Sequence, residues 1–151
     1  MWHHSATPGS VSSAQSNAVV YRFWDIFVGF GIHNVHLMVF IVRKSAHLLE
    51  YAVFGTLLAL LFMQLRTLLA LQPFCMGNAH ALRVKTSQLL LLFVSSAAVV
   101  PACDETIQLF VPGRSGELVD CAIDLLGVCL GVCIVWGSYI RRINKIKRST
   151  F

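Results

Sequence analysis

The sequence SAHLLEYAVFGTLLALLFMQL, at residues 45–65, decides the fold class of this 151-residue chain. Its only acidic or basic side chains, His47 and Glu50, stand in the first turn and a half, and the remaining residues are uncharged. At 1.5 Å per residue, a helix of this length spans about 30 Å of hydrocarbon. The stretch therefore predicts a membrane-spanning helix.

Two further stretches have the same character. Residues 86–103 are uncharged, and residues 119–140 have acids only near their beginning. Trp136 and Tyr139 close the last stretch, as is typical of aromatic side chains at a membrane interface. We therefore predict an all-α fold, a polytopic transmembrane helical bundle with three spans.

The composition agrees with a membrane protein and argues against a nucleic-acid partner. Hydrophobic residues make up 56% of the chain and charged residues 13%, with a mean hydropathy of +0.70. The net charge is +5, but five of the twelve basic residues lie in the last eleven positions, directly after an apolar run. No aromatic-basic motif or helix-turn-helix pattern accompanies them, so we expect no nucleic acid to bind.

The charges of the connections predict the orientation. Residues 66–85 carry three basic side chains and no acid, whereas residues 104–118 carry three acids and one arginine. Positive charge favours the cytoplasmic side, so the first connection and the basic tail, residues 141–151, are expected inside. We expect a multi-pass protein of the cell membrane with its transmembrane domain at residues 45–140.

Residues 1–44 are then predicted to be an extracytoplasmic or interfacial segment. Within them, residues 23–42 are apolar but contain four polar or ionisable side chains. A fourth span here would leave only two residues to reverse the chain before the next helix. An interfacial or re-entrant segment is the favoured interpretation, and a fourth span is the alternative.

Ten polar or charged side chains fall at the predicted outer ends of the three spans. They are Lys44, His47, Glu50, Tyr51, Asp104, Glu105, Gln108, Arg114, Asp120 and Asp124. Those on each helix recur at helical spacing and so share a face. An ionisable group inside a membrane costs about 3 kcal/mol unless it is paired or neutralised. One shared polar pocket is therefore expected, with scattered interfacial polarity as the alternative.

Two features surround the last two acids. The Val-Pro-Gly sequence of residues 111–113 predicts a turn that holds Arg114 at the head of the last helix. Gly127 and Gly131 lie four residues apart, directly beneath the acids. Small residues at this spacing let membrane helices approach closely, so we expect helix packing at both glycines.

Three motifs occur in order along the chain. They are RKSAHLLEY at residues 43–51, DETIQLFVPGR at 104–114, and D-x-x-x-D-x-x-G-x-x-x-G at 120–131. This order resembles the VanZ-like membrane proteins, whose patterns are RK-x-x-H-x-x-E-Y, DE-x-x-Q-x-F-x-PGR and D-x-x-x-N-x-x-G-x-x-x-G. Asp124 departs from the pattern, because the family usually has Asn there.

The resemblance implies a bacterial cell-membrane protein related to a determinant of resistance to the glycopeptide teicoplanin. No catalytic reaction is established for the family, so the resemblance assigns no catalytic residue. The upstream residues 5–20 look like the segment that follows the first span of the family. We therefore expect that this first apolar helix is missing from the sequence.

The sequence is compatible with three functions. The leading hypothesis is an envelope protein that binds membrane lipids or a lipid-linked or anionic envelope component, with Lys44 and Arg114 holding phosphate or carboxylate. It requires no cofactor and no metal. The second is an intramembrane hydrolase or transferase, and the third is a small transporter, which needs more helices or a homo-oligomer.

The enzyme hypothesis rests on a few residues and lacks a familiar motif. His47 and Glu50, together with Asp104 and Glu105, would act as metal ligands or as an acid–base pair. Neither H-E-x-x-H nor G-x-S-x-G occurs in the sequence. The five cysteines also lack the spacing of zinc ligands.

Overall fold

A computed structural model describes residues 9–71, 78–112 and 118–149 of the chain. These residues form five helices and no strand. The helices are α1 (Gly9–Arg22), α2 (Trp24–Gly29), α3 (Val35–Leu71), α4 (Ala79–Leu109) and α5 (Leu118–Ser149). Three of them, α3, α4 and α5, contain stretches long and apolar enough to cross a membrane. The predicted all-α bundle with three spans is confirmed.

The first spanning helix is longer than the sequence predicts. α3 contains 37 residues, which is about 55 Å of helix at 1.5 Å per residue. It begins at Val35 because the side chain of Asn34 accepts hydrogen bonds from the backbone N–H groups of His36 and Leu37. No Gly or Pro then occurs before Gly55. Residues 35–42, expected in an interfacial or re-entrant segment, form the first two turns of α3.

Residues 9–34 consist of two short helices and a turn. Gly31, with φ of 77°, lies in the turn between α2 and α3, where a side chain would strain the backbone. α1 packs against α3, and Val20 and Met38 are both fully buried. Met38 precedes Lys44 by about 9 Å along the axis of α3.

Glycine contacts set the distance between α3 and α5, the most extensively packed pair of helices. Gly55 lies against the backbone of Val128, and Gly127 and Gly131 lie against the backbone of α3 near Ala52. A methyl group on any of the three glycines would overlap atoms of the facing helix. Close approach of this kind is what small residues permit between membrane helices.

The directions of the three spanning helices bring one end of each helix together. Contacts between α3 and α5 advance in the same direction along both helices, so the two run parallel. α4 runs antiparallel to them, with Phe93 against Phe62 at 5.3 Å between ring centroids. The N-terminal parts of α3 and α5 therefore meet the C-terminal part of α4.

Candidate functional site

The buried polar side chains of the described residues concentrate where those three helix ends meet. All of them except Ser16 lie there, and each is at most 7% exposed. Together with residues of α3 they form what we call the polar cluster, which consists of Lys44, His47, Tyr51, Asp104, Glu105, Gln108, Asp120 and Asp124.

Lys44 and Asp120 form the outermost contact between α3 and α5. The Lys44 ammonium donates to Oδ1 of Asp120, and the two side chains are 17% and 8% exposed. The ammonium also lies 5.2 Å from the centroid of the Phe40 ring. The favourable ion pair compensates for removing both charges from water.

His47 and Asp124 form a second contact, one turn deeper on the same two helices. Nδ1 of His47 lies 3.2 Å from Oδ1 of Asp124, whose side chain is 0% exposed. The other carboxylate oxygen, Oδ2, is buried and has no hydrogen-bond partner among the described residues. A carboxylate with one engaged and one unsatisfied oxygen is therefore held inside the bundle.

α4 contributes an acid to this contact and a hydrogen-bonded pair beside it. One ligand atom each from His47, Asp104 and Asp124 lie within 4.8 Å of one another. Nε2 of Gln108 donates to Oε1 of Glu105 at 3.1 Å, and both side chains are buried. Pro101 stands one turn before these residues and lacks a backbone N–H, so the helix cannot form its usual bond there.

Tyr51 lies one turn after His47 on α3 and is 1% exposed. It is close to the carboxylates of Asp104 and Asp124, and its ring meets that of Phe54 edge to face. Within the part of the chain that the structure describes, its hydroxyl has no hydrogen-bond partner. The cluster thus contains two unsatisfied polar atoms, the Tyr51 hydroxyl and Asp124 Oδ2.

The structure brings together eight of the ten side chains that the sequence singled out. Glu50 is half-buried on α3, and Arg114 lies outside the described residues. Gly127 and Gly131 lie beneath the cluster, in contact with α3.

The grouping within the cluster differs from the one considered for an enzyme. His47 meets Asp104 and Asp124, whereas the sequence grouped it with Glu50, Asp104 and Glu105, so Asp124 is the member that the sequence did not include. Asp124 lies on the stripe of α5 that continues into Gly127 and Gly131. That continuity was the signal that Asp124 faces α3.

The part of the cluster that the structure describes has more acids than bases. Its four acids contribute −4 and Lys44 contributes +1, so the formal charge is −3 with neutral His47 and −2 with charged His47. Acids grouped in this way can hold a cation or a cationic side chain. The His47–Asp124 contact also orients an imidazole, the side chain most often used for proton transfer.

All residues of the polar cluster lie within a stretch of the chain that matches one protein family. A family described as VanZ/LLP1 matches residues 1–141. The chain belongs to the VanZ/LLP1 family. This result confirms the resemblance seen in the three motifs, and the matched region also includes α1 and α2 of this VanZ/LLP1 protein. No curated protein and no solved structure matches the chain significantly.

Proposed function

We propose that this VanZ-like membrane protein binds an anionic, lipid-linked component of the bacterial cell envelope in the polar cluster. Binding would change the access of teicoplanin to its target. The observation that carries the proposal is the meeting of buried ionisable side chains from three spanning helices in one place. Such groups are costly within a membrane, and in membrane proteins they mark binding and transport sites.

The charge pattern of the connections supports a location at the extracytoplasmic end of the bundle. The basic residues of the tail follow the opposite end of α5, and Arg83 and Lys85 lie in the first turns of α4, at that same opposite end. By the positive-inside bias, that end faces the cytoplasm. The polar cluster then faces the leaflet where lipid-linked envelope precursors are used.

Two cationic side chains could contact an anionic headgroup, Lys44 of the cluster and Arg114, whose position is known from the sequence alone. An ammonium has three N–H donors, so Lys44 can contact both Asp120 and a phosphate or carboxylate. Arg114 precedes α5 by four residues, and its guanidinium can bind such a group through two parallel hydrogen bonds.

Arg114→Lys tests this function, because lysine keeps the charge and loses the two-donor fork. Arg83→Lys, at the other end of the bundle, is the matched control. We expect Arg114→Lys to lose most of the teicoplanin resistance that the protein confers on a heterologous bacterial host, and most of the lipid that native mass spectrometry detects. Arg83→Lys should retain both. Full resistance and unchanged lipid in Arg114→Lys would contradict the proposal.

A second function is favoured by one observation, the buried Asp124 that orients His47. A histidine held in this way can transfer protons in a hydrolase or transferase that acts on an envelope lipid. His47→Gln separates the two functions. If the protein is an enzyme, expression of the wild type changes the envelope lipids of the host, and the variant does not. If it only binds, neither protein alters the lipids themselves.

A further inference from the structure

We infer that His47, Asp104 and Asp124 bind one divalent transition-metal ion, Zn²⁺ or Mn²⁺. The ion would attract the anionic headgroup, and this role rests on the proposed function. The site itself follows from the structure. It departs from the expectation, drawn from sequence, that the protein uses no metal.

The positions of the donor atoms suit a single ion. Tetrahedral ligands about 2.1 Å from a zinc ion lie about 3.4 Å from one another. His47 Nδ1 and Asp124 Oδ1 already lie 3.2 Å apart. Asp104 supplies an oxygen, and one ligand atom from each of the three residues lies within 4.8 Å of the others. To share one ion, the donor atoms must approach from up to 4.8 Å to about 3.4 Å of one another.

An independent observation also points to a ligand here. Oδ2 of Asp124 is buried, on a side chain that is 0% exposed, and has no hydrogen-bond partner among residues 9–71, 78–112 and 118–149. Nearly all buried polar atoms in proteins have a partner, so an exception calls for an ion, a water molecule or a ligand. A cation that Asp124 binds through both carboxylate oxygens satisfies Oδ2 as well as Oδ1.

The acids of the cluster repel an anionic headgroup, and a bound ion would offset that repulsion. With neutral His47, the form that binds metals, the cluster carries a formal charge of −3. A divalent ion changes this to −1 and places a double positive charge at its centre. Three protein ligands also leave at least one coordination position for an oxygen of the headgroup.

The donor types limit the identity of the metal. One imidazole with two carboxylates is a nitrogen and oxygen set that suits zinc and manganese, and it lacks the sulfur ligands that select Cu(I). The ligands are 57 and 20 residues apart in sequence and come from three different helices. Spacing along the chain could not show this site, because the ligands meet only in the folded bundle.

The first test measures ion binding by the full chain in lipid nanodiscs. The protein is purified without a histidine tag, and His3→Ala and His4→Ala remove the adjacent histidines of the N-terminus. After chelation, Zn²⁺ or Mn²⁺ is added, and metal content and thermal unfolding are measured. We expect one ion per chain and a higher unfolding temperature. Absence of stoichiometric ion would overturn the inference.

Matched variants identify the ligands. Asp124→Asn and His47→Gln should each weaken ion binding at least about tenfold, the lower end of losses seen even for residues that only support metal ligands. Asp25→Asn and His36→Gln, on exposed side chains outside the cluster, should bind as the wild type does. Asp124→Asn nearly preserves shape, and Asn occupies this position in the VanZ-like pattern. Wild-type affinity in both cluster variants, with helix content unchanged by circular dichroism, would refute the assignment.

A second arm separates the ion from the proposed function, with farnesyl diphosphate as an anionic lipid probe. We expect removal of the ion by chelation to weaken its binding at least about tenfold, the same scale as loss of a supporting residue. Equal binding with and without the ion would overturn the inference and leave the proposed function standing. Stoichiometric ion with no binding of the probe would support the site and contradict the proposed function.

Discussion

At the scale of single residues, Lys44 and Asp120 show how the bundle tolerates charge. Each is largely buried, and each belongs to a different spanning helix. The energy of such a pair nearly balances the cost of removing two charges from water. Loss of one partner removes the favourable ion-pair energy, while the cost of burying the remaining charge stays. The pair therefore contributes little to the stability of the contact. Its larger effect is to specify that α3 and α5 are the helices that meet.

Asp120→Asn should destabilise the protein by about 3 kcal/mol, because the Lys44 charge then loses its counter-ion inside the bundle. The double variant Lys44→Met with Asp120→Leu should recover most of that loss, since neither side chain then carries a charge. Unfolding of the purified variants in mixed detergent micelles measures both. A double variant no more stable than Asp120→Asn would show that the pair does more than neutralise itself.

The Tyr51 hydroxyl has a different effect, because it is buried without a partner among the described residues. Tyr51→Phe removes an unsatisfied group worth about 1–3 kcal/mol of desolvation. We expect the ligand-free variant to be as stable as the wild type or more stable, and to bind the lipid component more weakly. Tyr139→Phe, on an exposed ring, is the control. A large fall in stability in Tyr51→Phe would mean that the hydroxyl has a partner.

At the scale of helices, the contact between α3 and α5 depends on three glycines. Gly131→Ala should destabilise the bundle, because its methyl group would meet the Ala52 carbonyl and the Thr56 backbone. Gly137→Ala is the matched control on the same helix, since no atom lies within 4 Å of the added carbon. The control should be neutral or gain up to about 1 kcal/mol from higher helix propensity. Equal stabilities of the two variants would contradict the packing described here.

The three spans were predictable because lipid leaves few options for an apolar run. Its backbone must satisfy its own hydrogen bonds, and in a single segment only a helix does so. The start of α3 was not predictable in the same way. The polar side chains among residues 23–42 and the lack of room to reverse the chain before residue 45 favoured an interfacial or re-entrant segment. Asn34 instead caps a helix that continues past residue 44.

The candidate site was predictable as a set of residues and not as a set of contacts. Helical spacing placed Asp120 and Asp124 on one face, and depth placed them near His47. Which acid meets which base depends on how α3 and α5 are rotated and how closely they approach. The rotation and the approach of the two helices depend on contacts of Gly55 on α3 as well as on those of the α5 glycines. The glycine motif on α5 alone does not reveal that Gly55 takes part.

At the scale of the whole molecule, orientation follows from charge. With the native cysteines replaced, an impermeant thiol reagent on intact cells should label Gly116→Cys and not Lys145→Cys. The reason is that residues 104–118 are acidic and the tail is basic. Permeabilised cells, in which both positions should react, provide the control. Labelling at position 145 alone in intact cells would show that the protein has the opposite orientation.

The parallel pairing of α3 with α5 has a consequence for how the protein is made. Lys44 and His47 precede Asp120 and Asp124 by 76 and 77 residues. At about 5–20 residues per second, the ribosome needs about 4–15 s to reach those partners. During that time Lys44 and His47 of the newly made α3 lack these two partners on α5. The side chains of α5 that pair with α3 thus become available only several seconds after α3 has been made.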